Sequence, residues 1–165
     1  MANLFAVAGA KIYIGTAAMA APDEDVDAAD FSGATWTEIK DWTQAGSLGD
    51  TSALISTDVI SRGRTVKQKG TRNAGQMQNV FAINSSDAGQ TALIAAANGN
   101  LNWPFKIEWD DAPAGDDPTP TINYFVGLVM SAEQAGGSAN TVRSLNSTIE
   151  VNSNVVTVAP TTGDA

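Results

Sequence analysis

The chain has 165 residues, which suits a single domain with one hydrophobic core. It contains neither cysteine nor histidine, which excludes disulfides, thiolate metal sites and thiol catalysis and removes the commonest general base. The formal net charge of -9 disfavours tight binding to the outside of nucleic acid, because affinity there comes mainly from cations that release counterions.

The N-terminal region predicts one early strand. Residues 11–14 are rich in β-forming side chains and are followed by Gly15, which predicts that the strand ends there. Residues 17–21 weakly resemble a signal-cleavage site, but no basic segment precedes them and Lys11 and Tyr13 interrupt the apolar stretch. We therefore interpret this region as part of the fold. No apolar run approaches the ~20 residues of a membrane span, so no membrane association is expected.

An acidic run follows the first strand. Five carboxylates fall within eight positions that contain no cation: Asp23, Glu24, Asp25, Asp27 and Asp30. The run begins like a calcium-binding loop, but that pattern needs Gly at position 28 and Glu at position 34, where the chain has Ala28 and Ala34. No metal site is predicted here.

Residues 35–39 predict a second strand, and a basic segment follows it. Residues 46–75 are poor in large apolar side chains and rich in Gly, Ser and Thr, which predicts a protruding arm. The arm carries five of the nine basic residues of the chain: Arg62, Arg64, Lys67, Lys69 and Arg72. Spacings of two residues place each close pair on one side of extended chain.

Three interpretations of this basic arm remain open. It could be a solvated charged hairpin, or a nucleic-acid patch, although no aromatic residue interleaves the cations to stack on bases. It could also dock on an acidic surface of another copy, with the acidic run as a possible counterpart. The separation of opposite charges within one chain favours docking, and such a head-to-tail contact generates rings or filaments.

The second half of the chain predicts one helix among strands. Asp87 and Gln90 have the spacing of a helix capping box, and Ala-rich sequence follows, which predicts a helix over about residues 87–98. Phe105 and Ile107 alternate with charged residues in a strand at 105–109, which should form a hairpin with 121–130 across an acidic loop. Residues 142–151 and 155–158 predict a closing hairpin, and 159–165 a loose C-terminal tail.

These elements predict a mainly β, single-domain protein over residues 1–158, a β-sandwich or partly closed barrel with one short α-helix. Adjacent carboxylates at 110–111 and 116–117 could suggest glycosidase chemistry, but their Pro- and Gly-rich surroundings favour a solvated turn. We predict no catalytic residue, no cofactor-binding residue and no metal ligand. The chain is therefore not expected to be an enzyme.

The serial order of features resembles a known family. Trp36-x-x-Ile39 precedes Gly46-Ser-Leu-Gly49, the basic arm and a helix that opens Asp87-Ala-Gly-Gln90, and the strands at 105–109, 124–127 and 142–149 follow. This order is similar to the tail-tube (major tail) proteins of non-contractile long-tailed bacteriophages and gene transfer agents, over residues 5–158. Where that family usually has a shorter N-terminal loop, this chain has an Ala- and Asp-rich insert at residues 17–33.

The resemblance implies hexameric rings stacked into a tube, with a β-barrel wall through which DNA passes without specific binding. It implies that the arm reaches a neighbouring ring. The implied partners are other copies of the chain and the tape-measure and tail-terminator or tip proteins. It places the protein in the virion tail, after assembly in the host cytoplasm, with no cofactor. The alternative is a monomeric immunoglobulin-like or carbohydrate-binding β-sandwich, for which Trp42 and Trp103 are the candidate contact residues.

Overall fold

The computed structural model describes residues 4–163. This part of the chain confirms a mainly β protein with one short α-helix. The elements, in chain order, are β1 (Lys11–Gly15), a 3-10 helix (Ala28–Phe31), β2 (Trp36–Ile39), β3 (Trp42–Gln44), β4 (Thr51–Val59), β5 (Arg64–Asn73), β6 (Gln76–Ala82), α1 (Ala88–Ala97), β7 (Trp103–Glu108), β8 (Ile122–Ala135), β9 (Ser144–Val151) and β10 (Val156–Val158).

Eight strands form one curled antiparallel sheet. Their order is β2-β1-β7-β8-β9-β6-β3, with β10 also paired to β8. The two edge strands, β2 and β3, are consecutive in the chain and are separated only by Lys40 and Asp41. The sheet therefore curls until its edges come together. No backbone ladder joins β2 to β3 within residues 4–163, so the barrel is only partly closed.

The N-terminus of α1 forms hydrogen bonds at the seam of the barrel, where the edge strands β2 and β3 come together. The Asp87 carboxylate accepts hydrogen bonds from the Gln90 backbone N–H (2.9 Å) and from the Lys40 backbone N–H (3.2 Å). The Gln90 side chain donates to the carbonyl oxygens of Lys40 (3.1 Å) and Ala82 (2.8 Å). Asp87 is thus the predicted N-cap, but Gln90 bonds across the seam rather than back to it.

The core lies inside the curled sheet. Phe105 and Ile107 are fully buried, as the alternation in their strand predicts. Phe105 is paired in register with Phe125 of β8, and the two rings stack with centroids 5.2 Å apart. Trp109 follows the end of β7 and is half-buried, and its Nε1 donates to Asn123 Oδ1 at 2.6 Å.

The predicted closing hairpin is wrong. β9 and β10 do not pair with each other, because both pair along the same edge of β8, with Val151 opposite Gly127 and Val156 opposite Tyr124. Residues 152–155 form a bulge between them. The Val126 backbone fixes this bulge, accepting from Asn152 N (2.8 Å) and donating to Ser153 Oγ (2.9 Å). Turn-forming residues at 152–154 therefore interrupt one long strand instead of reversing it.

The C-terminal segment also differs from the expected loose tail. Thr161 forms an antiparallel bridge with Thr119, through backbone hydrogen bonds of 2.9 and 3.1 Å. The bridge ties residues 159–163 to the acidic loop, because Thr119 offers an unpaired stretch of extended backbone there. Residues 164–165 of the predicted tail lie outside the described residues. Within residues 4–163 no helix has the length and apolar character needed to cross a membrane.

Candidate functional site

The arm, residues 46–75, contains a sheet of its own. β4 and β5 pair only with each other, and no residue of either strand is buried. Three large apolar side chains are nevertheless exposed on it, Leu54 at 66%, Ile55 at 47% and Ile60 at 104%. An isolated two-stranded hairpin is at best marginally stable in water. The arm therefore lacks the internal packing that would stabilise it without a partner.

The register divides the arm cations between two faces. Lys67 is opposite Ser56 and Lys69 is opposite Leu54, so the two lysines share one face as their spacing predicts. Arg64 is opposite Val59 and projects from the other face. Arg62 lies in the turn at the tip, where its backbone N–H donates to the Val59 carbonyl at 3.0 Å. The arm thus presents positive charge in more than one direction.

The start of the arm is anchored to the body. The Gly46 backbone N–H donates to Asn79 Oδ1 at 3.0 Å, and the same oxygen accepts from Trp42 Nε1 at 3.2 Å. A side chain at Gly46 would collide with the backbone of Gln78 in β6, so this close approach requires glycine. The chain leaves the body here in a fixed position.

The insert, residues 17–33, contains the 3-10 helix, and two of its carboxylates cap that helix. Asp27 accepts from the backbone N–H groups of Ala29 (2.8 Å) and Asp30 (3.3 Å), while Asp30 accepts from the Asp27 N–H at 2.9 Å. This reciprocal capping box gives the two carboxylates a local structural role. Residues 4–163 contain no group of three or more acidic side chains placed to hold a metal ion.

The insert packs on the outer face of the sheet. Val26 and Phe31 are buried there against Val126, in a second and smaller hydrophobic cluster. The Phe31 ring stacks on Tyr124 with centroids 5.1 Å apart. The acidic run is therefore carried by an ordered segment rather than a solvated loop. This packing could not be predicted from local sequence, because Val126 and Tyr124, which hold the insert, lie far from it in the chain.

One cation of the arm shares a cleft with a carboxylate of the acidic run. Arg72 and Asp25 line the same open cleft, of about 310 Å³, together with Asp50 at the base of the arm. Asp23, Glu24 and Asp30 border a different open cleft of about 490 Å³, and none of Arg62, Arg64, Lys67 and Lys69 lines either one. Within residues 4–163 none of these four cations forms an ion pair with the acidic run.

A second charged cluster lies on the outer face of β1 and β7. Lys106 Nζ lies 2.8 Å from Glu108 Oε1 and 4.3 Å from the centre of the Tyr13 ring, and the Tyr13 hydroxyl donates to Glu108 at 3.1 Å. Burial, and to a smaller extent the neighbouring Glu108 carboxylate, together raise the pKa of the Tyr13 hydroxyl to about 12. The cluster stabilises the charged groups along these strands, and the raised pKa keeps the Tyr13 hydroxyl protonated at neutral pH.

The two tryptophans proposed as carbohydrate contacts pack against the main core instead. Trp42 and Trp103 are both half-buried there, and the Trp42 ring stacks on Phe81 with centroids 6.4 Å apart. No observation favours the carbohydrate-binding alternative.

No protein-family model and no curated protein matches the sequence. Several solved structures match most of the chain. A chain of the six-fold symmetrised baseplate of the anti-feeding prophage has a TM-score of 0.67 at 9% identity, covering 96% of this chain and 98% of that one. The SPP1 tail tube has a TM-score of 0.59 at 13% identity, covering 91% of this chain and 76% of that one.

At these identities the similarity defines the fold. The protein has the fold of tail-tube and baseplate proteins, as the serial order of its sequence features implied. Both structures belong to assemblies rather than to enzymes.

Proposed function

We propose that the chain is a structural subunit of a phage-type tail tube that self-assembles into stacked rings and catalyses no reaction. The fold shared with the SPP1 tail tube supports a tube, and the six-fold symmetry of the anti-feeding prophage baseplate supports hexameric rings. In this proposal DNA passes through the tube without specific binding. The subunit resides in the virion tail, after assembly in the host cytoplasm, and meets tape-measure and tail-terminator or tip proteins at the ends of the tube.

The observation that carries the proposal is the arm. It is a hairpin with no buried residue, and it combines exposed apolar side chains with most of the positive charge of the chain. Leu54, Ile55 and Ile60 are exposed on a hairpin that has no core of its own, and such a hairpin is marginally stable without a partner. We infer that the arm docks on a neighbouring copy of the subunit. Because the docking surface and its receptor differ, the contact repeats head to tail and builds an assembly.

The acidic insert is the proposed receptor for the arm. Its Asp23, Glu24 and Asp25 side chains are exposed, and Asp27 and Asp30, although they cap the 3-10 helix, are exposed as well. The 3-10 helix and the packing of Phe31 hold these carboxylates in place. Charge complementarity between copies would steer the encounter and fix its register.

A second unsatisfied surface supports lateral contacts within a ring. Residues 128–135 of β8 pair with β9 on one side, whereas β7 begins at Trp103, opposite Gly127. No strand of the described chain borders their other side. Met130 within this segment is 60% exposed. A strand edge that no other strand of the same chain borders is a template for strand pairing with another chain.

The acidic balance suits a channel for DNA. A cationic wall would bind the phosphate backbone and hold it, since protein cations that displace condensed counterions gain affinity. Each copy carries a formal net charge of -9, although five of its nine cations lie on the arm. Docking the arm between copies would leave the remainder of the subunit strongly acidic.

Charge reversal on the arm tests this function. The double variant Lys67→Glu/Lys69→Glu is compared with Lys11→Glu/Lys40→Glu, which changes net charge equally at exposed positions outside the arm. Circular dichroism should show both variants folded, and negative-stain electron microscopy should show tubes only for the second. Normal tubes from the arm variant would overturn arm docking, and loss of tubes in both would attribute assembly to net charge alone.

A further inference from the structure

Two polar side chains lie among the apolar residues inside the curled sheet. Asn79 of β6 and Ser147 of β9 are 1% and 2% exposed, and they are directly opposite each other in the β6–β9 ladder. Both face the same side of the sheet as the buried Phe81 and Leu145, because alternate residues of a strand share one face. Within residues 4–163 neither Asn79 Nδ2 nor Ser147 Oγ forms a hydrogen bond. Buried polar atoms are rarely left unpaired in folded proteins, since the hydration they lose must be replaced.

The orientation of the Asn79 amide is fixed by its other partners. Its Oδ1 accepts from Trp42 Nε1 at 3.2 Å and from the Gly46 backbone N–H at 3.0 Å. Both partners are donors only, so an amide rotated by half a turn would set its own NH2 group against them. The NH2 group therefore points away from Trp42 and Gly46, and its hydrogens require a different acceptor. The polar side chain paired with Asn79 in register is Ser147.

The row of side chains that contains this pair is smaller than the rows beside it. Ala132 of β8 is opposite Ser147, continues the row and packs against the main core. The flanking rows consist of large buried apolar side chains: Met77, Phe81, Leu145 and Ile149. The Cβ atoms of directly opposite residues lie about 4.5–5.5 Å apart. Because Asn79 Nδ2 and Ser147 Oγ do not bond to each other, a molecule that bridges them would satisfy both.

We propose that one structural water molecule binds inside the curled sheet, accepting a hydrogen bond from Asn79 Nδ2 and donating one to Ser147 Oγ. Water suits the site because a single molecule can accept from the amide and donate to the hydroxyl, whereas the apolar flanks offer a charged ligand no counterion. The bound water keeps the amide oxygen facing Gly46, so it holds the root of the arm from inside the body. The inference goes beyond the proposed function, because the site lies within one copy and needs no neighbour.

A crystal structure of the free subunit, at a resolution that shows ordered water, tests the site. We expect density for one water within about 3 Å of both Asn79 Nδ2 and Ser147 Oγ. Magnetic relaxation dispersion of water nuclei gives a second measurement, because it counts the long-lived water molecules of the protein in solution. Ser147→Val replaces the hydroxyl with apolar methyl groups that fill the same space, so it should lower this count by one.

The hold on the arm root should weaken in the same variant. Once the amide loses its fixed orientation, the Gly46 N–H should exchange with solvent about fivefold faster, the effect of losing one hydrogen bond. The matched control Thr148→Val removes a hydroxyl from the next residue of β9, which faces the outside of the sheet. It should change neither the water count nor the exchange rate.

A direct bond between Asn79 Nδ2 and Ser147 Oγ in the parent crystal, with no water density between them, would overturn the site. An unchanged water count in Ser147→Val would do the same. The parent crystal decides the question even if Ser147→Val fails to fold. Tube formation enters none of these measurements, so failure of the water site and failure of the proposed function are distinguishable.

Discussion

The Asn154 side chain brackets the backbone of Val26, although 128 positions separate the two residues. Its Oδ1 accepts from the Val26 N–H at 2.7 Å and its Nδ2 donates to the Val26 carbonyl at 2.9 Å. The Asn154 side chain thus makes the two hydrogen bonds that the backbone of a neighbouring strand residue would make. The bulge between β9 and β10 thereby holds the insert against the sheet and fixes where its carboxylates project.

Removal of this bracket should release the insert. Asn154→Ala leaves the Val26 N–H and C=O without partners at a partly buried position, so we expect a loss of about 2 kcal/mol in the free energy of unfolding. Amide hydrogen exchange should quicken in residues 17–33 more than elsewhere. Asn140→Ala, at an exposed loop position, is the control and should leave both quantities unchanged. Exchange that quickens uniformly would show that Asn154 supports the whole fold instead.

The seam of the barrel should depend on Gln90. Its side chain bonds to the Lys40 and Ala82 carbonyls and accepts from the Asn84 N–H at 3.0 Å, and it is 3% exposed. Gln90→Leu leaves these backbone groups without side-chain partners, at a cost of about 3 kcal/mol. Urea titration measures the loss, and Gln78→Leu, on the exposed side of β6, should change stability little. Equal stability of the two variants would contradict a structural seam.

Substitution at the arm tip should impair assembly without changing the stability of the free subunit. Ile60 is fully exposed, so Ile60→Ser should change the free energy of unfolding of the free subunit by less than about 0.5 kcal/mol. If the side chain is buried in a neighbour, the concentration needed for assembly should rise, as sedimentation would show. Ile14→Ser, in the core, should unfold the subunit. Unchanged assembly by Ile60→Ser would show that the arm tip stays in water.

Alkaline pH should weaken the fold through Tyr13. The pKa of its hydroxyl is about 12 in the folded chain against an ordinary value of 10.0, so the folded state binds this proton more tightly. The stabilisation is present in full below pH 10 and is lost as the pH rises from 10 to 12. Tyr13→Phe should make the decline of unfolding free energy shallower over this range. Burial and Glu108 also raise the pKa of Tyr124, so Tyr13→Phe/Tyr124→Phe should flatten it further.

Local sequence patterns predicted much of the fold. The alternation at Phe105 and Ile107 and the cap at Asp87 each depend on neighbours within four residues, and both appear where expected. The partner of β10 and the packing of the insert depend on residues far apart, such as Asn154 and Val26, and no local pattern encodes them. The bulge at 152–155 has the same turn-forming residues that a hairpin would use, so sequence alone could not separate the two.

The charge clusters of the candidate site could be predicted from the sequence, because their members are close together in the chain. Clustering of Lys67 and Lys69 in sequence becomes clustering on one face, because strand geometry has a period of two. The cleft shared by Arg72 and Asp25 was not predictable, since it forms only when the insert folds back over the sheet. Contacts between copies are harder still to predict, since they join residues of two separate chains.

Self-assembly of the purified parent protein tests the tube most directly. Light scattering across a concentration series should show the weight-average mass rise from that of the 17.0 kDa subunit to that of large particles. Negative-stain electron microscopy of the same samples should show rings or tubes of uniform diameter. A mass that stays at one subunit over the whole series, with no rings in the images even after a tail initiator is added, would contradict a tube subunit.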